Sequence, residues 1–194
     1  CKKWNLVLVE DAAESLGSFY KGRHTGTIGE YGAVSFNGNK VITTGGGGMV
    51  LCSSVDDAKR VKHVTTTSKV SHPYEFYHDE AGFNYRMPNL NAALGCGQLE
   101  GLTARLLAKR SLAMQYKEYF RESNYLFFDE PVDTRFNFWL NTIICEDLNA
   151  RNDFLKRTNS LDVMVRPVWQ LMHRLPMFQS AQRGELANSE WFEA

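Results

Sequence analysis

Three polar residues in the first forty stand where chemistry could be done: Asp11, Ser35 and Lys40. Lys40 lies five residues after Ser35 in the stretch SFNGNKVITTGGGGMV, residues 35–50. Taken alone it is a lysine in a turn, and most lysines are solvated surface charges. Its setting argues for more. A short strand pattern, AVSFN at 33–37, precedes it, and four glycines follow at 45–48. Such a backbone carries almost no side chain, so a ligand can approach it closely. A lysine is a good imine-forming nucleophile when its amine is neutral, which desolvation or nearby positive charge promotes. Once free, the same amine can carry a proton between two carbons as base and then acid. Asp11 ends the apolar run NLVLVE at 5–10, the strand end where open α/β sheets hold ligand groups. An aspartate there is also a good helix N-cap, and the AAESLG that follows reads as a helix; on the residues alone the cap is the commoner role. Glu14, one helical turn on, is either near a ligand or a first-turn carboxylate favoured by the helix dipole. The glycine run resembles a phosphate loop, but no Gly-Lys-Ser/Thr follows and a strand comes next, which argues against a nucleotide P-loop.

The elements that must position these groups follow from periodicity. Residues 5–10 read as a buried parallel strand, 19–32 as turns, and 49–52 as a second strand. Residues 55–64 form an amphipathic helix, acidic early and basic late, with His63 on its solvated side. A polar loop at 65–79 carries His72 and His78 without the spacing of a structural metal site, so no metal is expected. Pro88 opens a helix that runs from 89 to about 121. Leu99, Leu102, Leu106, Ala113, Tyr116 and Phe120 face inward along it, and Gly95, Gly97 and Gly101 weaken it. A core helix linking two domains is preferred to a coiled-coil surface. Strands at 125–128 and 136–145, a helix at 149–158 and a strand at 162–168 give the order β-β-α-β. The block that follows contains Arg166, Trp169 and His173, which could hold a ligand by charge, stacking and hydrogen bonds, or simply form a packed turn.

Composition excludes several classes. Of 194 residues, 43% are hydrophobic and 23% charged, ordinary for a globular protein. The formal net charge is zero, so bulk attraction to nucleic acid or an anionic membrane is not expected. No apolar run reaches the length of a membrane span. Cys1, Cys52, Cys96 and Cys145 are scattered without a CxxC pair, as reduced packing residues of a cytoplasmic protein. The chain opens without Met and ends in a helix pattern, so it is expected to be an internal piece of a longer protein.

The blocks VEDAAESLGS, GRHTGTIGEYGAVSFNGNKVITTGGGGMV and GFNYRMPNLNAALG resemble the DegT/DnrJ/StrS family, pyridoxal-phosphate (PLP) dependent nucleotide-sugar aminotransferases of the type I aminotransferase fold. The similarity runs through nearly the whole chain and is nearest to the perosamine, bacillosamine and legionaminic-type branch. It implies an α/β fragment: residues 1–121 as the second half of the large mixed-sheet domain with its linking helix, and 122–194 as part of the small α+β C-terminal domain. It implies that Lys40 is the Schiff-base lysine and that Asp11 pairs with the pyridine nitrogen, with Glu14 near the ring. Ser35 would bind the PLP phosphate, and Asn84 the phosphate of a second subunit, which makes a homodimer with shared sites. Arg86, Arg166, Trp169 and His173 would contact the nucleotide-linked keto-sugar, and glutamate would donate the amine. The missing part would supply further PLP contacts, so the piece alone is expected to bind PLP weakly and turn over poorly. A non-catalytic or regulatory relative remains the alternative; a PLP-dependent sugar dehydratase would carry His where Lys40 stands.

Overall fold

Strands and helices alternate through the residues described, 1–193, in this computed structural model. In chain order they are β1 (Val9–Asp11), β2 (Phe19–Tyr20), β3 (Arg23–His24), β4 (Tyr31–Ser35), β5 (Gly48–Cys52), α1 (Val55–Thr65), β6 (Lys69–Val70), β7 (Tyr77–His78), α2 (Asn89–Glu100), α3 (Leu102–Phe120), β8 (Leu126–Phe127), β9 (Thr134–Arg135), β10 (Ile143–Ile144), α4 (Leu148–Ser160) and α5 (Ala187–Glu193). No helix among these residues is long and apolar enough to cross a membrane. The chain forms two compact units. The first holds Cys1–Tyr116 and Asp129–Asn141; the second holds Lys117–Phe128 and the residues from Thr142 on. The division is therefore not a single cut at 121/122, because residues 129–141 return to the first unit.

The first unit is built on a sheet of order β1-β4-β5. β1 runs parallel to β4, with Asp11 opposite Ala33, and β4 runs antiparallel to β5, with Ser35 opposite Gly48. Alternation along β4 turns Gly32 and Val34 inward. Val34 packs with Ala12, Phe36 and Ile42, and Leu16, Leu51, Met87 and Leu102 close around them. The apolar run before Asp11 is not buried on both faces as the pattern predicts: Leu6, Val7 and Val9 are largely exposed. Leu6 and Val7 precede β1, and Val9 lies on an edge strand of the sheet with no core residue packed over it among the described residues.

Two helix expectations change as well. After Asp11 the chain makes turns, not a helix. Its polar groups find partners outside: the Gly17 N–H donates to His24 Nε2 at 2.8 Å, and the Ser18 carbonyl accepts from Thr25 N at 3.1 Å. Each such bond removes a group from an i to i+4 ladder. The long helix divides into α2 and α3 at Gly101. Ala113 is fully buried on α3 and Leu106 fills the space beside Gly17, whereas Leu99 and Tyr116 are more exposed than the spacing predicts.

The expected strand over 136–145 is broken. Thr134–Arg135 pairs with β2, and Phe138 then adopts φ 48°. That left-handed geometry costs a bulky residue about 1–2 kcal/mol and ends the extension. The segment is tied back to α3 by an ion pair. Arg110 forks onto both oxygens of Glu130 at 2.9 and 2.7 Å and also donates to the Phe136 carbonyl at 3.0 Å. Glu130 accepts the Phe136 N–H in turn, at 2.5 Å.

In the second unit β8 and β10 pair antiparallel. α4 is capped by Asp147, which accepts the Ala150 N–H at 2.8 Å. The rings of Phe120, Tyr125 and Phe154 cluster, with centroids 5.0–6.5 Å apart. Residues 162–168 form no strand. Asp162 is left-handed, at φ 59°, and Pro167 has no N–H for a ladder, so the order is β-β-α without the last strand.

The Arg110 fork generates a stability prediction. Arg110→Ala is expected to lower the unfolding free energy by about 1–3 kcal/mol, and Arg110→Lys to recover only part, since an ammonium cannot fork. Urea denaturation of the three proteins checks this; equal midpoints would show that the pair does not anchor the segment.

Candidate active site

Parallel strands end at the same edge of a sheet, so β1 and β4 deliver Asp11 and Ser35 to one side. Asp11 is exposed, and its Oδ1 accepts the Ala13 N–H at 3.1 Å, as the capping residue of a turn. Glu10 points the opposite way along β1. Its carboxylate accepts three N–H groups, from Gly26 at 2.7 Å and from Ile28 and Gly29 at 2.6 Å. Burial works against the Glu10 charge, but these bonds, helped by Arg23, outweigh it and hold the carboxyl below its ordinary range. Ser35 Oγ accepts the Asn37 N–H at 3.3 Å.

Beyond Ser35 the chain closes a loop. The Phe36 N–H donates to Gly47 O at 2.9 Å, and Phe36 O accepts from Thr44 N at 3.0 Å. Gly45 and Gly47 sit at φ 81° and 94°, which other residues rarely adopt. Buried Ile42 and Thr44 root the loop. Lys40 precedes these anchors, and its side chain is only 14% exposed. Its Nζ lies 3.0 Å from Glu14 Oε1 and 4.3 Å from the centre of the Trp139 ring. Glu14 thus meets Lys40 without the helix the sequence implies. The structure brings Lys40 and Glu14 together at the edge that carries Asp11 and Ser35.

Trp139 and Asn137 were not legible as site residues. They stand in NFW, a stretch that reads as strand, and no spacing in the sequence marks them. Trp139 Nε1 donates to Asn39 O at 2.6 Å. Buried Asn137 donates to the carbonyls of Glu14 and Leu16 at 2.8 and 3.0 Å.

The other candidates lie elsewhere. Asn84 and Arg86 are exposed on a strap beside α1, where Asn84 bridges Thr66. The strap reaches the glycine loop through different residues: Met87 beside Gly47, and Asn91, whose Nδ2 donates to Thr44 O at 2.5 Å. His63 is half-buried and meets two exposed carboxylates. Its Nε2 lies 2.7 Å from Asp79 and 3.6 Å from Glu80. The ligating atoms of the three fall within 4.8 Å of one another, but Arg60 forks onto both Glu80 oxygens and supplies the positive charge there. His72 Nδ1 accepts the Glu75 N–H at 3.0 Å, and His78 Nδ1 lies 2.7 Å from Thr67 O. Arg166, Trp169 and His173 belong to the second unit. Arg166 and Trp169 are exposed, while His173 is mostly covered and lies 3.5 Å from Glu190. His173 also lines a cavity of about 370 Å³ with Phe178, Leu186 and Ser189.

A strand-edge carboxylate, a hydroxyl and a shielded lysine beside a glycine loop stand at one edge of the sheet. Comparison with known proteins then fixes the family. The DegT/DnrJ/EryC1/StrS aminotransferase family model matches residues 1–194, and the chain belongs to that family. It is 37% identical over 183 residues to EpsN of Bacillus subtilis (strain 168), named as a pyridoxal phosphate-dependent aminotransferase; the match covers 93% of this chain and 47% of EpsN. It is 35% identical to GDP-perosamine synthase of Escherichia coli O157:H7, covering 91% of this chain and 48% of that protein. Helicobacter pylori PseC, an aminotransferase of pseudaminic acid biosynthesis, superposes with a TM-score of 0.90 at 20% identity, over 100% of this chain and 53% of PseC. That likeness fixes the fold, a partial type I PLP-transferase of mixed α/β structure. The chain spans about half the length of the curated relatives it matches.

Pyridoxal phosphate is the cofactor of this family, and the residues present fit it. The cluster offers an amine shielded from bulk water, an anion and a hydroxyl at one strand edge, and an adjoining loop in which a Cβ added at Gly46 would meet no atom within 4 Å.

The Glu10 cradle predicts acid sensitivity. The Glu10 carboxyl is depressed in the folded state, so its stabilisation is fully present above the ordinary glutamate value of about 4.3 and is lost as pH falls through the folded value. Glu10→Gln is expected to be less stable than wild type at pH 7 and to lose less stability between pH 5 and pH 3. Denaturation midpoints across that range check it; parallel pH curves would reject the assignment.

Proposed function

We propose that this chain carries the lysine-bearing half of a PLP-dependent aminotransferase that moves an amino group, from glutamate, onto the keto group of a nucleotide-linked deoxysugar. The observation that carries the reading is the Lys40 amine, shielded between Glu14 and Trp139 at the strand edge of Asp11 and Ser35. The 35% identity to GDP-perosamine synthase supports the sugar substrate. When bound, the cofactor supplies the electrophilic carbon that exchanges amines and the ring that stores the electrons of a broken C–H bond.

The chain's own groups do the rest. The Asp11 carboxylate holds a proton on the ring nitrogen by its negative charge. The Ser35 hydroxyl donates to phosphate. Lys40 Nζ would be the nucleophile that holds the cofactor and, once freed, would carry a proton between the substrate carbon and the cofactor carbon on the other side of the shared nitrogen, as base and then as acid. Glu14 orients that amine. Asn84 of one copy serves the phosphate site of a second, which makes the working unit a homodimer in the cytoplasm. Arg86 contacts the same anion or the sugar nucleotide, and Arg166, Trp169 and His173 contact the sugar nucleotide.

Borohydride reduction after PLP addition, with peptide mass mapping, tests the reading. A pyridoxyl mass is expected on Lys40 and on no other lysine. Lys40→Ala is expected to lose it and, in the full-length enzyme, to lower turnover by about a hundredfold or more. A pyridoxyl mass elsewhere, or unchanged turnover, would refute the assignment. The product separates the other readings: an amino sugar for the transaminase, a deoxysugar for a dehydratase, neither for a non-catalytic relative.

A further inference from the structure

The walls around the Lys40 amine come from two stretches far apart in the chain, and one buried side chain holds both. Asn137 is 6% exposed. Its Nδ2 donates to Glu14 O at 2.8 Å and to Leu16 O at 3.0 Å, while its Oδ1 accepts the Trp139 N–H at 2.9 Å. Its own N–H donates to Ser18 Oγ at 3.0 Å. A carboxamide can donate twice and accept at once, and these partners dictate which way it faces. An aspartate would keep the acceptor and lose both donors.

The consequence reaches Lys40 from two sides. Glu14, fixed at its carbonyl, carries the carboxylate 3.0 Å from Lys40 Nζ. Trp139, fixed at its N–H, carries the ring 4.3 Å from the same atom. The indole is held a second time by its bond to Asn39 O, next to Lys40 in the chain. Between Asn137 and Trp139 the backbone of Phe138 stays left-handed. Such outliers persist when the surroundings over-determine them.

We propose that Asn137 is a positioning residue for Lys40, and that the Glu14 carboxylate and the Trp139 ring form a dock for the lysine amine whenever it is bonded to neither cofactor nor substrate. The proposal rests on the reading of Lys40 as the reactive lysine. An ammonium on a flexible four-carbon stem has many rotamers. A carboxylate on one side and an aromatic face on the other select one of them. The dock makes and breaks no covalent bond. It returns the amine after each release to the strand edge where Asp11 and Ser35 stand, and lowers the entropic cost of the next attack.

Competitive acylation of lysines, read by peptide mass in the cofactor-free protein, tests this. Lys40 is expected to label more slowly than Lys59, whose side chain is 73% exposed. Asn137→Asp and Trp139→Leu are each expected to raise Lys40 labelling about threefold or more relative to Lys59. Trp139→Phe keeps a ring over the amine and is expected to stay near wild type. Circular dichroism identifies a variant that does not fold; Trp139→Leu carries the test if Asn137→Asp fails. Unchanged Lys40 labelling in the folded variants overturns the proposal, as does a rise shared by all lysines. No cofactor is added, so this outcome is independent of the pyridoxyl mapping. A Lys40 that takes no PLP in the full-length enzyme sinks the aminotransferase reading; a Lys40 indifferent to Asn137 and Trp139 sinks only the dock.

Discussion

The parallel pairing of Val9–Asp11 with Tyr31–Ser35 is the constraint on which the rest depends. Parallel strands finish at the same edge, so the loops that leave them emerge together. That alone brings the turn carrying Glu14 and the loop carrying Lys40 to one place. Alternation along β1 then divides two adjacent carboxylates. Glu10 is committed to the N–H groups of residues 26, 28 and 29, and Asp11 is left open at the edge. On the other side of β4 the neighbour is antiparallel, so a short return suffices. Its base is sealed by Phe36 and Gly47 and its interior by Ile42 and Thr44. The loop that carries Lys40 thus has a rigid root.

The segment Asp129–Asn141 completes what that edge begins. It leaves the first unit's sequence and comes back to it, and polar bonds hold it there: the Arg110–Glu130 fork at one end and the Asn137 carboxamide at the other. Unpaired, either group would be costly in a partly buried setting. Fully paired, they fix geometry better than apolar contacts do, because each bond has a direction. The left-handed Phe138 between them is the strain this arrangement carries. It turns an apparent strand into a bend that presents Trp139 to Lys40.

Family membership and geometry describe different things here. The matched relatives are about twice as long as the matched region. The region matched contains the lysine, the strand-edge carboxylate and the hydroxyl. The substrate-facing candidates are divided among the exposed strap of Asn84 and Arg86 and the second unit of Arg166, Trp169 and His173.

Local chemistry was legible in the residues themselves. The glycine loop with its lysine, the aspartate ending an apolar run and helix α1 each depend on near neighbours, so order and type suffice to predict them. What failed was decided at long range. The turns after Asp11 replace a helix because residues 24 and 25 take their hydrogen bonds. The strand at 136–145 breaks because Asn137 answers carbonyls as many as 123 residues away. Leu6 and Val7 are exposed because burial is set by what packs over a residue, not by its own hydrophobicity. The sequence by itself determined the family, the glycine-flanked loop of Lys40 and the strand that ends in Asp11. Only the tertiary structure decided that Glu14 and Trp139 flank Lys40, because a directional bond between distant segments leaves no periodicity in either one.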